Sequence, residues 1–128
     1  MLTEFTINTP QEGFIDITSH VTKILKQSQG EKRLCQVFVP HTTAGVTINE
    51  NADPDVIRDM LLAADHMVPE LDYRHSEGNS RAHVKASMFG SSVTVPVVNN
   101  MLYLGIWQAI YFCEFDGPRE RKVCVTVV

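Results

Sequence analysis

The chain has 128 residues, 11 basic and 15 acidic side chains, and a formal net charge of −4. That length suits one domain spanning 1–128, buries enough surface to fold without a disulfide or metal, and is too short for a (β/α)₈ barrel of about 250 residues. No apolar run reaches the roughly 18–20 residues of a membrane span, the opening MLTEFTINTPQEGF lacks the regions of a secretory signal, and the acidic balance disfavours nucleic acid, so a cytoplasmic protein without membrane or nucleic-acid partners is expected.

Residues 2–9 alternate weakly (Leu2, Phe5, Ile7) and read as a strand, followed after Gly13 by a second at Phe14–Ile17. Thr18 or Ser19 is a candidate cap for a helix that carries Val21, Ile24 and Leu25 on one face and stops at Gly30. Leu34–Val39 is an apolar, β-rich run ending at Pro40, and Val46–Asn49 is a further short strand. Asp53-Pro54 is a helix start, with Asp as N-cap and Pro at the first helical position, and Val56, Ile57, Met60, Leu61 and Ala64 follow at helical spacing. Residues 66–78 lack periodicity and read as a long loop. Asn79 or Ser80 then caps a helix over Arg81–Phe89, ended by Gly90. Ser92–Val98 is a β-branched run, Asn99-Asn100 suits a two-residue hairpin turn, and Met101–Phe115 reads as one long strand with a bulge or close approach at Gly105. Asp116-Gly117-Pro118 is a turn and Arg121–Val128 closes the sheet. The order predicts an α+β domain with mainly antiparallel strands and two to three short helices.

Polar residues gather in a few places. His41-Thr42-Thr43-Ala44-Gly45 follows Pro40 at a strand end and leads to Asn49-Glu50-Asn51 and Asp53. Such a set suits a binding site, though the same residue types also satisfy turn backbone and cap helices. Tyr73-Arg74-His75-Ser76-Glu77-Gly78-Asn79 precedes His83 and Lys85. Neutral imidazole is the commonest side-chain metal ligand, and a carboxylate two residues away can act as ligand, orienting partner or base. The spacing is neither HExxH nor a zinc-deaminase signature, whose PCxxC is absent, and a solvated polar loop is the alternative. If His41, His75 and His83 converged, three imidazoles with an open position would suit a catalytic transition metal. Ser91-Ser92 after Gly90, with Lys85, Arg119 and Arg121, could hold phosphate oxygens without a Walker A or GxGxxG motif; on spacing alone, a solvated hairpin end is the favoured reading of the arginines. Trp107 suits a core or a subunit interface. Glu114 shares a strand face with Gln108, Ile110 and Phe112 and needs a partner, with Arg119 or Arg121 nearest. Cys35, Cys113 and Cys124 are odd in number, form no CxxC, and read as reduced, non-catalytic thiols.

Taken in this order, His41-Thr42-Thr43-Ala44, Asn49-Glu50-Asn51-Ala52-Asp53-Pro54, Tyr73 to Asn79, Ala82-His83-Val84-Lys85, Gly90-Ser91-Ser92, Pro96, Gly105, Trp107-Gln108 and Glu114 to Arg119 resemble the YjbQ-like family, named secondary thiamine-phosphate synthases. The departure is Gly105-Ile106, where that family usually has Gly-Thr, so a hydroxyl is missing. The resemblance implies a compact α+β fold, a homotrimer, and a site at the subunit interface using His41, His75, His83, Glu50 and Glu77. The named activity joins hydroxymethylpyrimidine diphosphate to a thiazole phosphate and releases pyrophosphate. It is expected here as a side activity of a small metal-assisted enzyme whose main substrate the sequence does not name. The full assignment places zinc or another transition metal on His41, His75 and His83, with magnesium accompanying a diphosphate substrate. Glu50, Glu77 and Lys85 are the candidate catalytic groups. Thr42, Thr43, Asn49, Asn79, Ser92, Arg119 and Arg121 are the candidate contacts to a phosphorylated small molecule. The alternative is a non-catalytic trimeric protein that binds a metabolite or metal.

Overall fold

The computed structural model describes all residues from Met1 to Val128. Its strands form two antiparallel sheets. The larger runs in the order β1 (Leu2–Asn8), β8 (Glu120–Val127), β3 (Leu34–Phe38), β5 (Ser92–Val98), β6 (Met101–Leu102). The smaller is β2 (Gly13–Asp16), β7 (Gln108–Glu114), β4 (Ala44–Glu50). The inner faces of both sheets supply the main core: Val37, Val95, Val123 and Val125 from one, Val46, Ile110 and Phe112 from the other. Helix α1 (Thr18–Gln27) adds Val21, Ile24 and Leu25 to it, as its apolar spacing requires.

The smaller sheet is covered on its second face as well. Helix α3 (Ser80–Phe89) lies against β4, and Ala82 and Ala86 pack with Cys113 and Phe115 in a separate small core. This explains why β7 is buried at nearly every position while β1 and β3 alternate. Gly45 permits the approach, since a Cβ there would sit 2.7 Å from the Gly90 carbonyl oxygen.

Helix α2 (Pro54–Met67) is different. Asp53 caps it as expected, its side chain accepting from the Asp55 N–H at 2.9 Å. Its apolar positions Val56, Ile57, Met60 and Leu61 are only half-buried, and Ala64 alone is fully inside. The helix has no extensive contact with any other element of its own chain.

Three local expectations change. Helix α1 is not capped by Thr18 or Ser19: Ile17 is the N-cap residue, Asp16 accepts the Thr18 N–H, and the Thr18 hydroxyl accepts instead from the Ile110 N–H at 2.8 Å. The helix ends at Gln27, and Gly30 follows in the loop at φ 80°. The long strand over 101–115 divides. Asn99 and Asn100, at φ 53° and 58°, make the expected tight hairpin, but β6 ends after two residues. The chain then leaves the large sheet, bends where Gly105 N–H donates to Gln108 Oε1 at 2.7 Å, and enters the small sheet as β7. Gly105 is thus a turn residue between sheets rather than a bulge, and Ile106 and Trp107 stand outside at the bend.

Candidate functional site

Three chain segments meet at one end of the two sheets. The β3–β4 turn brings His41, Thr42 and Thr43; the loop before α3 and its first turns bring His75, Glu77, Asn79 and His83; the β7–β8 turn and the start of β8 bring Arg119 and Arg121. Together with Pro40 they line a predominantly polar cleft of about 430 Å³. A second hollow of about 480 Å³ shares His41, Thr42 and His83 and continues past Ser87 to Gly90 and Ser91.

The floor is a buried ion pair. Glu114 is 0% exposed and Arg121 is 4% exposed. Arg121 Nε donates to Oε1 at 2.7 Å and Nη2 to Oε2 at 2.5 Å. The Thr9 hydroxyl donates to Oε1 at 2.6 Å and the Asp116 N–H to Oε2 at 3.0 Å. Burial alone would raise the Glu114 pKa, but the hydrogen bonds from Arg121, Thr9 and the Asp116 backbone outweigh it and hold the carboxyl below its ordinary range. Arg121 Nη2 also donates to the Thr43 hydroxyl at 2.9 Å. Thr43, 5% exposed, is therefore engaged in supporting Arg121, while Thr42 is exposed at the rim.

His41 sits beside this pair. The Lys122 N–H donates to its Nε2 at 2.9 Å. Burial and then the Arg121 charge lower its pKa, so near neutral pH it is uncharged, and the Lys122 bond assigns its proton to Nδ1. His75 and His83 meet edge to face with ring centroids 5.3 Å apart, and His75 Nε2 lies 3.9 Å from Glu77 Oε2. Asn79 Nδ2 donates to Asp116 at 2.9 Å, and the same Asp116 oxygen accepts from Arg119 at 2.8 Å. Asn79 is the N-cap residue of α3 but does not cap it with its side chain, and its Oδ1 is buried without a partner.

The three histidines share a cleft, yet within one chain no three His, Cys, Asp or Glu side chains stand close enough together to hold a metal. His75, His83 and Glu77 have the donor types of a two-imidazole, one-carboxylate site. His41 does not fit as the third ligand, because its Nε2 lone pair is already engaged by Lys122.

Four expected site residues lie elsewhere in the chain. Lys85 is 2% exposed on the inner side of α3, between Glu12 at 3.3 Å and Asp65 at 3.2 Å and over the Phe115 ring. Packing holds it there, so it is an internal tie between α3, α2 and the β1–β2 connection rather than a catalytic group in the cleft. Asn49 and Glu50, at the far end of β4, line a separate hollow of about 630 Å³ with Asp53, Trp107 and Gln108. Ser92 opens β5 opposite Phe38 and lines neither wall of the histidine cleft. Conversely, Thr9 and Asp116 organise the floor and were not anticipated. Thr9 is 105 positions from its Glu114 partner, a separation that leaves no local signal. The cysteines are free and buried, and burial pushes all three thiols up, Cys35 to about 11, which disfavours the thiolate form.

A family model described as UPF0047 protein YjbQ-like matches residues 3–128. The chain belongs to the YjbQ-like UPF0047 family. Among its relatives, UPF0047 protein YugU of Bacillus subtilis is 53% identical over 123 residues, covering 94% of this chain and 92% of its own. UPF0047 protein MJ1081 of Methanocaldococcus jannaschii is 42% identical, covering 100% of this chain and 94% of its own. A crystal structure of a YjbQ/UPF0047 protein from Clostridium acetobutylicum superposes with a TM-score of 0.95 at 52% identity, covering 98% of this chain and 99% of that one. The neighbours bear out the α+β architecture across the family; a protein from Aeropyrum pernix, 36% identical, still superposes with a TM-score of 0.92. No helix is long and apolar enough to cross a membrane.

Proposed function

We propose that this UPF0047 protein is a small enzyme that binds a phosphorylated small molecule in the histidine cleft. One observation carries the reading: three imidazoles, a carboxylate, a carboxamide and two guanidinium groups share a polar hollow of about 430 Å³. A predominantly polar site selects for charge and hydrogen-bonding capacity. Arg119 and Arg121 supply guanidinium N–H donors held by Asp116 and Glu114, His75 and Glu77 the acid–base pair, and His83 a further imidazole. A divalent metal would need a ligand beyond His75, His83 and Glu77, since no three such side chains of one chain stand together, and it would supply Lewis-acid chemistry.

The residues suit the reaction that the family resemblance suggests. Departure of diphosphate from a hydroxymethylpyrimidine leaves a stabilised cation for a thiazole nitrogen to attack, so the protein needs chiefly to neutralise the leaving group and orient two rings. Magnesium would arrive with the diphosphate. This activity is the first assay, as a side reaction beside a main substrate of the same chemical class.

The protein is read as cytoplasmic, consistent with three unpaired buried thiols. Half-covered apolar surface on α2 and Trp107 supports self-association, and the family resemblance suggests a homotrimer. Closure by neighbouring copies would also allow Asn49 and Glu50 to reach the cleft of another subunit.

The test has two parts. The untagged protein is assayed for thiamine-phosphate formation with magnesium, beside His75→Ala and Glu77→Ala; turnover falling at least 100-fold with assembly intact supports the reading. No turnover in the parent, with assembly lost in the variants, favours the non-catalytic binding protein. Elemental analysis then separates the ligands. Bound transition metal should vanish in His75→Ala and His83→Ala and survive in His41→Ala.

A further inference from the structure

His41 and Arg121 are each immobilised by partners that leave one face of each group unused. The Lys122 N–H occupies Nε2 of His41. Metal ligation through Nδ1 would move the ring proton to Nε2 and set two N–H groups against each other. What His41 offers is a donor, Nδ1–H. In Arg121, Nε and Nη2 are bound to Glu114 and Thr43, whereas Nη1 has no partner in the chain. Nη1 is nevertheless not a buried orphan, because Asn79 Oδ1 is the sole buried side-chain nitrogen or oxygen without a partner. The small exposed part of Arg121 therefore includes its Nη1 edge, in a residue that lines the cleft.

We propose that the Nη1 edge of Arg121 and the Nδ1–H of His41 form a rigid seat for the phosphoryl group of the ligand, with Glu114 as the positioning residue that aims Arg121. This rests on the phosphorylated-ligand reading above and replaces a metal role for His41 with an anion-binding one. Three features favour a tetrahedral oxyanion. The donors come from two separate segments, β8 and the β3–β4 turn, and the exposed Thr42 hydroxyl adds a third direction at the rim. An exposed arginine would have to freeze its side chain on binding, whereas Arg121 is already fixed by Glu114 and Thr43. Because Glu114 neutralises the guanidinium charge, the seat acts through directed hydrogen bonds more than through net charge.

Calorimetric titration of the full chain with inorganic phosphate tests this, with acetate as a planar anion and Lys23→Ala as a remote control. Arg121→Lys keeps the charge but cannot hold Glu114 and present a second edge, so affinity should fall about 10-fold or more. His41→Ala should lose a similar factor. His41→Gln can reach Lys122 to accept from it and still donate, so it should recover part of the loss. Glu114→Gln should weaken phosphate binding in folded protein. If that variant does not fold, Thr43→Val removes a single anchor of Arg121 and should weaken binding several-fold with the circular dichroism spectrum unchanged. Phosphate binding that ignores Arg121→Lys and His41→Ala overturns the seat but leaves the cleft reading standing. Acetate binding as tightly as phosphate overturns the phosphoryl assignment. A parent that binds neither phosphate nor diphosphate removes the phosphorylated-ligand reading and the seat together.

Discussion

Two side chains of the cleft couple its chemistry to stability. The His41 pKa is held below its ordinary 6.5, so the unfolded chain takes up that proton first. The stability it contributes is complete above about pH 6.5 and is lost as pH falls below it. Glu114 is held below its ordinary 4.5, so its contribution is complete above pH 4.5 and is lost at lower pH. Urea midpoints measured from pH 8 to pH 3 should therefore fall in two stages. His41→Asn should flatten the upper stage. Glu114→Gln should flatten the lower stage and cost about 3–5 kcal/mol above pH 4.5, a cost that shrinks as pH falls, because it leaves Arg121 buried and unpaired. At this scale the sequence was informative where partners are close in the chain. His75 and Glu77, and Glu114 and Arg121, are separated by a few residues, and each pair is found together. Lys85 was misplaced because its neighbours Glu12 and Asp65 come from other elements, and the burial of a lysine has no local signature.

Among the elements, those set by short-range rules were readable. The Asp53-Pro54 start of α2, the Asn99-Asn100 hairpin and the α1 face follow from capping, positive φ and helical period. The division of 101–115 was not readable, because the apolar composition continues across the bend and only the tertiary arrangement of two sheets requires the chain to change partners. The junction of β4 and α3 was also hidden, although it positions the site: His83 reaches the cleft because α3 rests on Gly45. Gly45→Ala would drive a methyl to 2.7 Å from the Gly90 oxygen, an acceptor for the Val46 N–H. The expected cost is about 1–3 kcal/mol, read from the urea midpoint, with weaker phosphate binding as His83 and Ser87 move outward.

For the whole molecule, the decisive feature is how little of α2 its own chain covers. An amphipathic helix that buries only Ala64 gains little from packing, and most helical stability comes from packing. Neighbouring copies are the proposed cover. Leu61→Asp should then release single chains, seen by size exclusion with light scattering, while far-UV circular dichroism stays near that of the parent. Trp107, the sole tryptophan, stands 59% exposed at the bend between the sheets and beside Asn49, Glu50 and Asp53. An indole so placed fluoresces as a solvated group in a lone chain, and its emission shifts to the blue when a neighbour covers it. With no second tryptophan inside either core to mask that change, the protein carries a built-in optical gauge of self-association, separable from unfolding because the bend lies outside the packed interior.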